Sequence, residues 1–393
     1  MQVYATDKIR NVILLSHGGA GKTSLAEALL HTVGAISRMG RVDDGTTTSD
    51  YEPEETRRHS SIQCTLLPCE WKGVKVNVLD VPGYADFVGE VKAGIRAADA
   101  AAVLSDAAAG VEVGTEMVWK YADEQSLPRF IVVNKMDREN ADFFRVLQMA
   151  QAKWGKKCIP IQVPAGAQAG FKGVVDLLDA GVEAPGMDAK QVEKLRESLV
   201  EAVAETNDAL MTKYLEGQPL ERQELAQGLR AAVIAGSIVP VLASAGTQAL
   251  GVRELLDAIV AYLPGPAERP PVEATSPHSR AREKLPAAPN GLLCALVFKT
   301  TADPYVGKLS YFRVFSGTLR SDSQVWNVSK NAQERIGTLF VPRGKAQDPV
   351  PSLSAGDIGV VAKLAGTATG DTLGQKDKPL ALDPIVFPDP VFS

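Results

Sequence analysis

The sequence predicts an open α/β domain carrying a helical insert, followed by an all-β barrel. Three observations carry that reading. Apolar runs of strand length alternate with amphipathic helical patterns up to residue 263, as a parallel sheet with crossover helices requires. Pro264, Pro266, Pro270, Pro271 and Pro277 then break the alternation. From Gly291 onward, short alternating runs are separated by Gly turns, the pattern of a small barrel.

The first strand is Val12-Ile13-Leu14-Leu15, and the first helix carries Leu25, Ala28 and Leu29 on one face. Between them lies Ser16-His17-Gly18-Gly19-Ala20-Gly21-Lys22-Thr23, with Ser24 opening the helix. A Gly-rich turn between strand and helix lets backbone N–H groups close around phosphate oxygens, and the helix start adds positive dipole character. Lys22 is expected to reach the β- and γ-phosphates, and the Thr23 hydroxyl to hold Mg²⁺. Ser16 stands where the usual pattern has Gly or Ala.

Gly73 to Asp80 alternates Val74, Val76 and Val78 and ends in Asp80-Val81-Pro82-Gly83. Asp80 is expected to hold Mg²⁺ through water, because that ion takes few carboxylates and keeps several waters. Gly83, with no side chain in the way, lets its N–H approach the γ-phosphate. Phe130-Ile131-Val132-Val133 leads into Asn134-Lys135-Met136-Asp137. A carboxylate at Asp137 matches the paired N–H donors of guanine, which adenine lacks. Ile238 to Leu242 leads to Ala243-Ser244-Ala245-Gly246, where a backbone N–H is expected to meet the guanine O6. Each motif ends a predicted strand, where open α/β sheets bind ligands. Their joint chemistry is guanine-nucleotide binding with Mg²⁺.

Between Asp137 and Ser244 lies more chain than one crossover needs. A helical insert is expected over about 160–237. One helix is read from Asp188 to Leu215, with Val192, Leu195, Leu199 and Val203 on a face. The next runs from Glu221 to Ala235, with Leu225, Leu229 and Val233. The domains are therefore expected at 1–263 and 288–380, joined by a stiff, extended linker at 264–287. The expected barrel strands include Leu292–Thr300, Leu309–Phe315, Gln324–Val328, Glu334–Leu339 and Gly359–Leu364. Residues 381–393 read as the start of a truncated third domain.

The net charge of −5 is unevenly placed: Arg280 to Lys345 holds 11 Lys/Arg and 4 Asp/Glu, or +7, leaving −12 elsewhere. A basic module on an acidic body fits a partner with a phosphate backbone, and fits a solvated barrel face equally well. Cys64, Cys69, Cys158 and Cys294 show no C-x-x-C pairing, and His17, His31, His59 and His278 show no metal spacing. The cysteines read as buried thiols of a reducing compartment. No apolar run approaches the roughly 20 residues of a membrane span, and no secretory leader is apparent.

The motifs together resemble the translational GTPases, the elongation factor G family most closely. In the first domain the resemblance adds Gly110-Val111 and Gly251-Val252-Arg253-Glu254-Leu255-Leu256-Asp257. In the barrel it rests on Ala302-Asp303-Pro304-Tyr305-Val306-Gly307-Lys308-Leu309, Val314-Phe315-Ser316-Gly317-Thr318-Leu319, Ala355-Gly356-Asp357-Ile358-Gly359 and Gly370-Asp371-Thr372-Leu373. The resemblance implies an α/β P-loop GTPase domain followed by an all-β translation-factor barrel. It implies GTP and GDP as substrate and product, with Mg²⁺ as cofactor. It implies a cytoplasmic protein, monomeric off the ribosome, whose barrel touches small-subunit RNA.

The departures from that family are specific. Tyr84 stands where the family has a His that positions the attacking water; a phenol offers an O–H but carries no imidazolium charge. The family's Arg-Gly-Ile-Thr, whose Thr binds Mg²⁺, is Arg58-His59-Ser60-Ser61 here, so Ser61 keeps a hydroxyl for the metal. The family's Asp in the phosphate loop is Gly19. These changes place the chain with a divergent elongation factor G-like branch. Two readings follow: a GTPase using Lys22, Gly83 and Tyr84, or a slow, ribosome-docking GTP switch disabled by Tyr84. A third, an ATP-dependent protein sharing only the phosphate loop, is opposed by Asp137.

Overall fold

The computed structural model describes residues 2–303 and 306–387. The first domain is built on β1 (Ile9–Leu15), β2 (Thr65–Trp71), β3 (Val74–Asp80), β4 (Ala100–Asp106), β5 (Arg129–Asn134), β6 (Cys158–Pro160), β7 (Gln162–Pro164), β8 (Val174–Asp176) and β9 (Val239–Ala243). Its helices are α1 (Lys22–Thr32), α2 (Pro53–Arg58), α3 (Val88–Ala97), α4 (Val113–Glu124), α5 (Phe143–Trp154), α6 (Ala189–Ala204), α7 (Asp208–Leu215), α8 (Arg222–Ala235) and α9 (Val252–Tyr262). The sheet order is β2-β3-β1-β4-β5-β9-β6, parallel except for β2. Every residue of β1 and β3 is buried, as strands covered on both faces must be. Alternate residues feed opposite cores: Ile13 and Leu15 pack with Val91, Val118 and Phe143, while Val12 and Leu14 pack with Leu25, Leu255 and Ile259.

The insert differs from its expected form. The single helix read from Asp188 to Leu215 is two helices. Asn207 makes the break, its side-chain oxygen accepting the N–H groups of Ala209 and Leu210 at 2.9 and 3.2 Å and starting α7 afresh. Glu221 precedes α8 rather than beginning it, in a capping box with Glu224. β7 and β8 form a small antiparallel pair beside these helices.

The expected extended linker is a hairpin. β10 (Val272–Thr275) and β11 (Arg282–Leu285) pair antiparallel. The barrel strands are β12 (Cys294–Asp303), β13 (Gly307–Ser316), β14 (Thr318–Arg320), β15 (Gln324–Asn327), β16 (Ala332–Arg335), β17 (Leu339–Arg343), β18 (Ala346–Val350), β19 (Ser352–Ser354), β20 (Ile358–Ala362) and β21 (Thr372–Gly374). The strand expected at Glu334–Leu339 is instead the junction of β16 and β17. β22 (Ala381–Leu382) returns to pair with β10, so the described part of 381–393 packs against the hairpin. Pro304, Tyr305 and residues 388–393 lie outside the described residues.

A polar seam joins the domains. Lys75 of β3, fully buried, meets both oxygens of Asp357 at 2.7 and 2.9 Å. Arg313 of β13 pairs with Asp99, which also accepts from Asn11; Asn11 in turn donates to the Gly356 carbonyl. Arg343 reaches the carbonyls of Ala35 and Pro68. Three of the eleven basic residues read as a partner-facing surface, the buried Lys299 and Arg313 and the half-buried Arg343, are therefore spent inside the molecule. All four cysteines are free and buried, and no helix among the described residues is long and apolar enough to cross a membrane.

Removing one member of a buried pair strands the other charge. Asp357→Ala is expected to cost about 3–5 kcal/mol. The double variant Lys75→Met with Asp357→Leu is expected to recover most of that, read from urea unfolding midpoints; equal losses in both would show that the seam is not held by this charge pair.

Candidate functional site

The four predicted loops meet at the carboxyl edge of the sheet, around a cleft of roughly 630 Å³, enough for a nucleotide. Gly21 holds φ +90, and a Cβ there would lie 2.7 Å from the Asn134 amide nitrogen, so only glycine fits. Lys22 is almost fully buried and donates to the Ser16 hydroxyl at 2.9 Å and the His17 carbonyl at 3.3 Å. The unusual Ser16 thus holds the lysine head in place. Burial lowers the Lys22 pKa to about 8, with Asp80 and Asp50 opposing that shift. Phosphate oxygens would restore its charge.

Gly83 abuts the phosphate loop: a Cβ there would fall 2.6 Å from Lys22 Nζ and 2.7 Å from the Gly18 nitrogen. The next residue, Tyr84, lays its ring on Gly18, where a Cβ would come within 3.0 Å of the ring carbon bearing the hydroxyl. Tyr84 remains 54% exposed at the rim of the cleft.

On the metal side, Thr23 Oγ1 and Ser61 Oγ lie 3.0 Å apart. Asp80 is wholly buried; one oxygen accepts the Ser49 hydroxyl at 2.7 Å and the other has no hydrogen-bond partner. Asp50, absent from the predicted set, is buried beside them, near the Ser61 hydroxyl and with no cation on either oxygen. Burial, then repulsion from Asp80, pushes its carboxyl up to about 7. Hydroxyls and unpartnered carboxylates are the hard oxygen donors that Mg²⁺ takes, so the residues fit the ion. Asp50 was illegible because one acid in a polar loop has no spacing signature.

The loop carrying Ser49, Asp50 and Ser61 is folded against the site. Glu27 accepts the N–H groups of Gly40 and Thr48. Glu52 and Glu55 form a capping box on α2. His59 stands where the family pattern has Gly and adopts the left-handed conformation at φ 50, with Nδ1 3.0 Å from the Val42 carbonyl.

At the base side, Lys135 pairs with Asp106 at 2.7 Å, and Asn134 ties the Ala20 carbonyl to Ser244 and Gly246. One Asp137 oxygen is buried without a partner, while the other accepts from Gln248 at 3.0 Å. Several expected contacts need correction. The amides of Ser244, Ala245 and Gly246 are committed to Val133, Leu250 and Asn134, so none is free for a guanine O6. Thr247 is the residue of that loop on the cleft wall. Ala20, Val81 and Met136 are core spacers, and Pro82 is buried behind Gly83. His17 turns its ring to Glu112 and Thr115. Gly18, Gly19, Ser24 and Lys135 do line the cleft.

Comparison with known proteins gives the family and the fold. Residues 7–265 match the family model of the elongation factor Tu GTP binding domain, and residues 292–376 match elongation factor G domain 2. A protein of known crystal structure from Thermus thermophilus superposes with a TM-score of 0.83 at 34% identity, over 98% of this chain and 57% of its own. The chain thus spans little more than half the length of that relative.

Because a proton and a cation compete at Asp50, Mg²⁺-dependent binding of a fluorescent GTP analogue is expected to tighten about tenfold between pH 6 and 8. Asp50→Asn should flatten that slope; an unchanged slope would place the titration elsewhere.

Proposed function

The chain belongs to the translational GTPase family, with an elongation factor G-like pair of domains, and from that premise we propose that it hydrolyses GTP to GDP and phosphate on the ribosome. The observation that supports this best is one nucleotide-sized cleft lined by Lys22, Gly83, Asp50 and Asp137, in which one Asp137 oxygen has no partner.

The steps follow from the residues. Asp137 accepts the guanine ring N–H and exocyclic amine. The phosphate-loop amides and Lys22 hold the β- and γ-phosphates, and Lys22 offsets the charge that builds on the bridging oxygen. Thr23, Ser61, Asp80 and Asp50 would hold Mg²⁺, which would supply positive charge to the phosphate oxygens when bound. The Gly83 N–H donates to the γ-phosphate. Tyr84 orients a water whose oxygen bonds to the γ-phosphorus. The bond to the GDP oxygen breaks, GDP leaves with the electron pair, and the water proton ends on phosphate. Loss of γ-phosphate then releases Gly83 and the Ser61 loop.

A second reading is a slow GTP switch that docks on the ribosome. It is favoured by Tyr84, whose ring lies across Gly18 and whose phenol lacks the charge of the family's His.

GTP turnover measured with and without ribosomes, at two salt concentrations, tests the first reading: ribosome stimulation that weakens with salt is expected. Binding without turnover in either condition would favour the switch. Tyr84→His is expected to raise turnover about tenfold or more, within the range of a general acid–base group; no change would mean that Tyr84 is no handicap. Asp137→Asn should exchange guanine for xanthine preference in a nucleotide competition assay, and an unaltered preference would remove Asp137 as the base reader.

A further inference from the structure

The loop that carries Ser49, Asp50 and Ser61 is gripped by the barrel at three places, and these places bracket the metal-side residues. Gly344, in the turn between β17 and β18, packs on Thr48 so closely that a Cβ would lie 2.3 Å from the Thr48 carbonyl oxygen. The Tyr51 phenol faces the phenol of Tyr311 of β13. Lys299 of β12 donates to the Cys64 carbonyl at 2.6 Å and lies 3.7 Å from Glu90 of α3, which itself accepts the Cys64 N–H at 2.7 Å. Thr48 and Tyr51 flank Ser49 and Asp50 on either side, and Cys64 follows Ser61 by three residues. Lys299 and Tyr311 are both buried, and the ammonium stands 5.5 Å over the Tyr311 ring.

We propose that Tyr311 and Lys299 of the barrel are positioning residues for the Mg²⁺·GTP site, holding the Asp50–Ser61 loop closed over the metal. They touch neither nucleotide nor metal; they act through Tyr51, Cys64 and Glu90. The inference rests on the reading of the cleft as a GTP site. Its consequence is selective. GTP engages the closed loop through Ser61 and the γ-phosphate, whereas GDP lacks that phosphate and gains little from closure. The barrel therefore contributes affinity to the triphosphate complex and almost none to the diphosphate complex. Lys299 also ties the loop to α3, which follows Gly83, so both segments that would sense the γ-phosphate meet at one ammonium group.

The test uses the whole chain and stopped-flow dissociation of fluorescent GTP and GDP analogues across a Mg²⁺ titration. Tyr311→Phe and Lys299→Met are expected to speed GTP-analogue release about tenfold and raise the Mg²⁺ needed for half-retention, the scale of a lost buried hydrogen bond. GDP-analogue release should stay within about twofold, and Lys299→Arg should restore much of the GTP effect. Retained GDP binding also reports that the variants are folded. Equal acceleration of both nucleotides, or of neither, would overturn the proposal. Wild-type chain that bound neither nucleotide would overturn the GTP reading itself, and this inference with it.

Discussion

A charge taken out of water must find a partner, and this chain buries charge in two places with opposite outcomes. Along the seam between the domains the charge pairing is complete: Lys75 with Asp357 and Arg313 with Asp99, with Asn77 and Asn11 donating to the two carboxylates. In the cleft it is not. Asp50 has no cation beside it, one oxygen of Asp80 has no donor, Lys22 has only neutral oxygens, and one Asp137 oxygen is bare. Burial raises the proton affinity of both carboxylates, Asp80 adds to it at Asp50, and burial drives Lys22 toward neutrality. A polyphosphate, a divalent cation and a base with paired N–H donors complete every one of these groups together. The same low dielectric that makes the seam rigid makes the cleft demand its ligand.

The departures from the family pattern form a set of local compensations. Ser16 adds a hydroxyl where a small residue would leave the lysine head less restrained. His59 accepts a left-handed backbone in exchange for a contact with the Val42 carbonyl. Tyr84 is larger than a His, and its ring finds room because position 18 has no side chain. A side chain at Gly18 and a tyrosine at 84 compete for one volume, so neither residue is interpretable without the other.

What the sequence disclosed was whatever repeats locally. Strand periodicity and the loops after β1, β3, β5 and β9 were legible because a parallel sheet brings all its carboxyl ends to one edge. The break at Asn207 was not, since helical periodicity continues across it while a single cap resets the backbone. Five prolines suggested an extended linker, but they fall outside the pairing residues of β10 and β11, where missing donors cost nothing. Asp50, Thr247 and the barrel's grip on the loop depend on contacts between distant positions, which no window of sequence contains. The same distance hid the fate of the basic charge: Lys299, Arg313 and Arg343 read as surface because their acceptors lie more than two hundred residues away.

The seam's position gives the two domains a shared mechanical reference. Asn11 and Lys75 lie five positions before Ser16 and Asp80, on the central strands that end in the phosphate loop and the metal carboxylate. Those strands are rigid and buried throughout. A paired, hydrogen-bonded seam has directional contacts that an apolar one lacks, so it fixes how the barrel is oriented as well as whether it stays attached. With the barrel fixed on the strands and its far side gripping the loop around Asp50, the loop closes against a frame that includes both domains. On the proposed reading of the cleft, order in the loop would report jointly on the cleft's occupant and on the barrel's position, and a partner that displaced the barrel by a small amount would act on the Asp50 loop without touching it.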